Sequence, residues 1–530
     1  MFSVGLLRRQ AKGSFRYSAT PTLENKVDPP SDDELYYYLS RTPRLAPFIL
    51  VLCYLPLLVS MVMFMQKSPT LWVFYPYVFL LLISSAVSAL TSNQKHRVSR
   101  DSHELQCLSY LPENYPSVDV YLPTCGEDIA VLSNTFLFAS NLKWHGDLNI
   151  YVLDDSSRPE VKQLASQYQL HYINRADAGY MKKSGNLRHA FAITSGDYIL
   201  VLDADFAVRF DALHHLIPYF EDEKIGIVQS PQFFDVTKHQ NWLQRSAGAT
   251  QDLFYRWIQP SRDNFSAAIC VGTNAIYRRS ALDDAGGFCS IEHSEDVHTG
   301  VKLREVGYRL VYVPVILAKG LCPNKLQNFV TQQYRWAAGS LSLLNSEDFH
   351  KSASQRPLRE TLSYFSGFLY YVTTAISVFV APLPAVIMMY VYTDDVSPKN
   401  YLPLIGAVLS QFLLMPLLTN FRYRFSVMRV QIIYSVAHFQ ALIDTFRNNL
   451  SGWVATGATE KKNVAVQKIL NKLLFVSGIY VPVICFGVLK VATSLGLMFA
   501  LPSLGFLLIT IYLNAPIFKA AFESRFDKGE

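Results

Sequence analysis

The sequence predicts an α/β domain with a parallel, doubly wound sheet, set between two blocks of transmembrane helices. Three observations predict it. Of the 530 residues, 50% are hydrophobic and only 17% are charged, against about 25% charged in ordinary globular chains. Uncharged apolar runs gather at the two ends of the chain. The middle, from about Val118 to Leu344, is normally mixed and alternates short β-branched runs with helical stretches.

The terminal runs come first. Leu45 to Met65 is free of charge for 21 residues, and Ser68 to Gln94 is a second uncharged run. About 20 apolar residues span a hydrocarbon core roughly 30 Å thick, so each is long enough. After the middle, uncharged runs cover Thr361 to Thr393 and Asn400 to Phe421, and Leu473 to Phe518 is divided by Lys490. Six spans are expected, two before the central domain and four after it. The first run starts too far into the chain to be the apolar core of a signal peptide. Arg8, Arg9, Lys12 and Arg16 precede the first block, Lys95, Arg97 and Arg100 follow it, and Lys519, Arg525 and Lys528 follow the last run. The positive-inside rule then puts both termini and the central domain in the cytoplasm. Phe425 to Asn449 and Pro357 to Phe368 mix apolar and charged residues and read as interfacial helices.

The expected organisation is a cytoplasmic segment over 1–44, two spans over 45–94, a catalytic domain over 95–350, and interfacial helices with four spans over 351–530. Low charge with high hydrophobicity excludes a disordered chain. A net charge of +6 gives no sign of nucleic-acid binding. Seven cysteines without tight spacing suggest neither a disulfide framework nor a zinc site.

In the central domain, Val118 to Leu122, Asn149 to Leu153, Tyr198 to Leu202 and Ile225 to Gln229 read as strands, with helices at Glu160 to Tyr168 and Leu187 to Thr194. Ligands of doubly wound sheets bind beyond the carboxyl ends of the strands. Asp154, Asp155, Asp203 and Asp205 all fall at such ends. No glycine-rich dinucleotide fingerprint and no P-loop is present, which removes nicotinamide enzymes and P-loop ATPases. A pair such as Asp203-x-Asp205 suits a hard divalent cation shared with substrate phosphates, although aspartates are also common in turns. Lys182-Lys183-Ser184-Gly185-Asn186 opens a helix whose amides and lysines suit an anion. His293-Ser294-Glu295-Asp296 is a second acidic cluster, with Ser294 an alternative simple helix cap. Gln332-x-x-Arg335-Trp336 offers a guanidinium for phosphate and an indole for a sugar face, or else an interfacial belt.

Together these motifs resemble the membrane-embedded processive synthases of glycosyltransferase family 2, the cellulose, chitin and hyaluronan synthases. In layout the chain is most similar to the fungal type 2 glycosyltransferases. The resemblance runs from Val118 onward and implies a glycosyltransferase-A-type (Rossmann-like) catalytic domain. It further implies that Asp154, Asp155 and Lys183 hold the donor nucleotide, and that Asp203 and Asp205 bind its diphosphate through Mg²⁺ or Mn²⁺. Asp296 becomes the general base, while Gln332, Arg335 and Trp336 bind the acceptor end and the diphosphate. Gly272 and Thr273 resemble the acceptor contact. The family's gating loop, often FxVTxK, has only a partial counterpart at Trp453 and Thr456, within 451–463.

The implied protein is an inverting hexosyltransferase of the plasma membrane that uses a nucleotide-sugar, UDP-glucose or UDP-GlcNAc by analogy. It extends a polysaccharide acceptor and passes it across the bilayer. The alternative is a single-transfer enzyme acting on a polyprenyl phosphate or lipid. A transporter with a nucleotide-sensing domain predicts more intramembrane charge than Lys490 supplies.

Overall fold

The computed structural model describes residues 26–39, 46–92, 97–234, 236–237, 240–351, 356–419, 422–447, 450 and 464–526. Its central sheet has seven strands in the order β3-β2-β1-β4-β8-β6-β9. They are β1 (Val118–Thr124), β2 (Leu148–Asp154), β3 (His171–Ile173), β4 (Tyr198–Val201), β6 (Ile225–Gln229), β8 (Ala275–Arg278) and β9 (Arg309–Tyr312). The four strands expected from the sequence are all present. The middle strand, β1, is buried along its whole length. Its side chains alternate between two cores: Val118, Val120 and Leu122 join Leu132 and Phe136 on one face, and Tyr121 joins Leu153 and Leu187 on the other.

The sheet is mixed rather than purely parallel. Strand β8 runs antiparallel to both β4 and β6, with Ala275 opposite Val201 and Gln229. This reversal has a consequence for function. It sets the segment leading into β8, which contains Gly272 and Thr273, beside the carboxyl ends of β4 and β6. A second, three-stranded sheet is ordered β5-β10-β7, from Phe206–Val208, Ala318–Gly320 and Phe233–Phe234. Asp203 and Asp205 occupy the short turn between β4 and β5.

Among the described residues, four helices are long and apolar enough to cross a membrane: Pro69–Thr91, Leu358–Tyr390, Val464–Leu495 and Leu497–Phe526. Shorter apolar helices cover Ile49–Met65 and Leu404–Leu418. The second of these is less regular than the expected span over Asn400 to Phe421. It contains a π-helical turn at Ser410–Leu414, directly before Met415–Leu418. Pro416 explains the irregularity, because it lacks the amide that would close the regular turn onto Phe412. The last two spans divide at Gly496, whose φ of +91° ends the preceding helix, and not at Lys490.

Neither expected interfacial helix stands alone. Leu358–Val380 is one continuous helix that absorbs the 357–368 stretch. Val427–Phe446 is buried on several faces, between the helix Leu326–Ser342 of the catalytic domain and Leu358–Val380. Its polar residues have partners on both sides. Asp444 Oδ2 accepts from Tyr334 at 2.9 Å, and His438 Nδ1 lies 2.8 Å from the Thr374 hydroxyl. The α/β domain is thereby joined, through one shared element, to a helix long and apolar enough to cross a membrane.

A second joint lies near the start of the chain. Buried Asp252 accepts hydrogen bonds from Tyr38 Oη at 2.5 Å and Arg422 Nη1 at 2.9 Å, and Arg422 Nη2 donates to the Phe234 carbonyl at 2.8 Å. Arg422→Ala removes the Asp252 carboxylate's charged partner in a buried position, which costs about 3–5 kcal/mol. The detergent-solubilised variant is expected to unfold at a clearly lower temperature than the parent. An unchanged midpoint would contradict this joint.

Candidate active site

A cleft of about 360 Å³ opens at the carboxyl ends of the strands. It gathers Asp155, Lys183, Asp203, Asp205, Asp296, Gln332, Arg335 and Trp336, residues spread over 182 positions of sequence. The two members of the first acidic pair part company at the end of β2. Asp155 lines the cleft, and its carboxylate is bound by Arg175 at 2.6 and 2.8 Å. Asp154 faces away and is fully buried. Its oxygens accept from the Ser156 and Arg158 amides at 2.9 and 3.0 Å and from Tyr172 Oη at 3.0 Å. The sequence reading placed both at the nucleotide. The structure gives Asp154 to the strand-end turn.

Lys183 enters from the first turn of the helix Lys182–Ile193. Met181 and Lys182 precede it in the left-handed region, with φ of +51° and +49°, a costly backbone for residues with a Cβ. The rest of the motif fixes the helix in place. Asn186 Nδ2 donates to the Leu153 carbonyl at 2.7 Å, and Ser184 donates to that of Cys289. A Cβ on Gly185 would stand 2.3 Å from the Tyr180 carbonyl oxygen, so only glycine fits. Lys183 Nζ then lies 2.5 Å from Asp203 Oδ1, 2.8 Å from the Gly272 carbonyl and 3.9 Å from Glu295 Oε1. Burial works against the ammonium. The carboxylates of Asp203, Glu295 and Asp296 outweigh it and hold its pKa above the usual lysine value.

Asp203 is fixed by its backbone, whose amide donates to Thr273 Oγ1 at 2.8 Å. Asp205 is exposed to the cleft, yet desolvation by the atoms crowded around its carboxyl, with Asp203 and Glu127 nearby, pushes it up to about 7. Asp296 begins the helix Glu295–Glu305. Burial first, then the Glu295 carboxylate, pushes Asp296 up to about 7 as well, against the pull of Lys183. Ser294 stands at the cap position with φ +58° and makes no side-chain cap bond, so the simple capping alternative does not hold. Gly272 and Thr273 lie just behind the cleft lining, bonded to Lys183 and to the Asp203 amide. A Cβ on Gly272 would sit 2.7 Å from Asp296 Oδ2, and Thr273 is fully buried.

Gln332, Arg335 and Trp336 sit at i, i+3 and i+4 of the helix Leu326–Ser342, which places all three on its cleft face. Burial lowers the Arg335 pKa, against the surrounding acids. Tyr334 points the other way, to Asp444. Trp453 and Thr456 lie outside the described residues.

Sequence reasoning gave no role to three participants, although it set His293 in one acidic cluster with Ser294, Glu295 and Asp296. Glu127 lines the cleft just past β1, accepting from the Cys125 amide at 2.7 Å, and burial raises its pKa. Its signal was an acid beyond a strand end, the criterion that found Asp203. His293 also lines the cleft, with a buried Nδ1 that has no hydrogen-bond partner among the described residues. Gly339 is the third. A Cβ there would fall 1.5 Å from Ser294 Oγ and 2.5 Å from Ser294 Cβ, so the Trp336 helix and the Asp296 turn meet at this glycine.

The cleft joins a half-buried ammonium, several carboxylates and an Arg–Trp pair at the ends of an α/β sheet, and the sequence comparisons point to a glycosyltransferase domain. Residues 198–437 match the family model described as glycosyl transferase family group 2. That stretch holds Asp203, Asp205, Gly272, Thr273, Asp296 and the Gln332–Trp336 motif, while Asp155 and Lys183 precede it. The chain is 34% identical over 247 residues to the UDP-forming cellulose synthase catalytic subunit of Komagataeibacter sucrofermentans, covering 45% of this chain and 33% of the relative. It is 31% identical over 242 residues to that of Pseudomonas fluorescens, with the same coverage of 45% and 33%. The chain thus spans about a third of the length of these relatives. Among solved structures, it is similar to a mannosyltransferase from Pyrobaculum calidifontis in complex with GDP-Man and Mn²⁺. There the identity is 15% and the TM-score 0.47, over 71% of this chain and 99% of the other.

Gly339→Ala tests the meeting of helix and turn. Crowding of this kind costs about 1–3 kcal/mol, and thermal stability and activity are expected to fall together. Adding Ser294→Gly removes the two atoms that a Cβ would strike and keeps the Ser294 Cα at 3.7 Å, an ordinary contact, and is expected to restore stability. A double variant no better than the single one would contradict the contact.

Proposed function

We propose that the protein is a membrane-integrated, inverting glycosyltransferase that polymerises sugar from a UDP-sugar. The product is an extracellular or cell-wall polysaccharide passed across the plasma membrane. The observation that carries this reading is the helix Leu326–Ser342. It presents Gln332, Arg335 and Trp336 to the acidic cleft and is bonded through Tyr334 to the helix Val427–Phe446, which packs on a spanning helix. Site and membrane path share one element. Basic residues flanking the apolar runs favour a cytoplasmic catalytic domain and cytoplasmic termini.

Inversion at the anomeric carbon needs a base on the acceptor hydroxyl and positive charge on the leaving diphosphate. Asp296 is half-buried beside Gly272 and is the candidate base. Lys183 and Arg335 supply fixed positive charge, and Trp336 an aromatic surface for a sugar. Asp155, held by Arg175, is positioned for the nucleotide end. The acids suit a divalent cation, Mg²⁺ or Mn²⁺. Crowding of Asp205 by Asp203 and Glu127 is a cost that a cation removes, and these oxygens form no three-ligand cage among the described residues. Two carboxylates plus substrate phosphates are a common set for such ions. When bound, the cation would neutralise charge on the departing diphosphate.

The first test is a panel of nucleotide-sugars scored by release of nucleoside diphosphate with Mg²⁺ or Mn²⁺ present. Activity with a UDP-sugar is expected, and Asp296→Asn should lower it by about 10²–10⁴-fold. Equal release by parent and variant would overturn the assignment. Product length separates polymerisation from the single-transfer alternative, which yields only a lipid monosaccharide.

The second test is pH. Because the Asp296 carboxyl titrates near 7, it is protonated below that value and cannot accept a proton. The rate should therefore rise with pH through about 7. A rate that is flat or falling from about pH 6 to about pH 8 would contradict the role of Asp296 as base.

A further inference from the structure

A second cluster lies away from the cleft, where the membrane-proximal helix meets the catalytic domain. Arg100–Ser109 follows the span Pro69–Thr91 in sequence. Its His103 and Cys107 are four residues apart, on one face of the helix. His215 from Ala212–Leu216 meets them. One ligand atom from each of the three lies within 4.8 Å of the others. Cys107 Sγ is 3.6 Å from His103 Nε2, which is 2.9 Å from His215 Nδ1. With Zn–N about 2.05 Å and Zn–S about 2.3 Å, tetrahedral zinc sets these separations at ~3.5 Å and ~3.3 Å. The first already fits, and the second needs a shift of a few tenths of an ångström.

The outward nitrogens strengthen the case. His103 Nδ1 is 2.8 Å from Tyr219 Oη, and His215 Nε2 is 3.6 Å from Asp211 Oδ2. Asp211 is itself held by Arg209 at 2.9 and 2.8 Å. Metal-ligating imidazoles are oriented by just such partners on the ring nitrogen that does not bind the metal. Two imidazoles can share a proton without a metal, but here a sulfur within 4.8 Å of both and an outer partner on each ring add up to a coordination set.

We propose that His103, Cys107 and His215 bind a Zn²⁺ ion, with water as fourth ligand, and that this ion staples the membrane-proximal helix to the catalytic domain. On binding, the imidazoles ligate in neutral form and the Cys107 thiol loses its proton to solvent. None of the three lines the catalytic cleft.

The test uses the full-length protein in detergent, stripped by chelator and titrated with Co²⁺. A sulfur-to-cobalt charge-transfer band is expected to saturate at about one equivalent and to vanish when Zn²⁺ is added. Cys107→Ser should lose the band, whereas Asp203→Asn, altered only in the cleft, should keep it. His215→Gln should weaken Co²⁺ binding at least about tenfold, and it decides the question should the serine variant fail to fold. No band in the parent, a band that survives Cys107→Ser, or unchanged affinity in His215→Gln would each overturn the site.

Discussion

A lysine ammonium set among carboxylates survives burial only when each charge neutralises another, and the catalytic end of this molecule is arranged around that condition at Lys183. Its Nζ touches Asp203, approaches Glu295 and hydrogen-bonds the carbonyl of Gly272. Those three positions come from the β4–β5 turn, the start of the Glu295–Glu305 helix and the segment entering β8. One cation therefore fixes three pieces of chain that are distant in sequence. The left-handed backbone at Met181 and Lys182 is the local cost of aiming the side chain inward. Without Lys183 the acids of the cleft would repel, and burial would protonate them.

From this centre the structure extends in two directions. Toward the sheet, the reversal of β8 brings Gly272 and Thr273 beside Asp203 and Asp296. Toward the membrane, the absence of a side chain at Gly339 lets the Leu326–Ser342 helix reach the Ser294 turn. The opposite face of the same helix carries Tyr334, bonded to Asp444. A displacement of the Val427–Phe446 helix would therefore reach Arg335 and Trp336 directly, through one rigid helix.

Much of this was legible in sequence because the signals were local. Apolar strands that stop at aspartates, and a motif spaced to fill one helix face, declare themselves within a few residues. What was not legible depends on contacts between distant segments. Asp154 and Asp155 are neighbours of the same type, yet the strand alternation sends one to Tyr172 and the other to Arg175. Glu127 follows β1 in a turn beside Asp128, and only tertiary packing brings it near Asp205. The antiparallel β8 is four residues long, Ala-Ile-Tyr-Arg, too short to announce a direction. Val427–Phe446 has the composition of an interfacial helix, and its burial is decided by partners such as Tyr334 and Thr374. Cys107 showed no motif because its companion His215 lies 108 positions away.

The proposal on which all this depends is that the half-buried Lys183 ammonium tunes the proposed base, Asp296. It is tested most directly by the pH profile of nucleotide release in Lys183→Gln compared with the parent. Loss of an opposite charge a few ångströms away raises a carboxylate's pKa by about 1–3 units. The account therefore predicts a weaker residual activity whose rising limb lies at higher pH. A residual activity with its limb unmoved would contradict it.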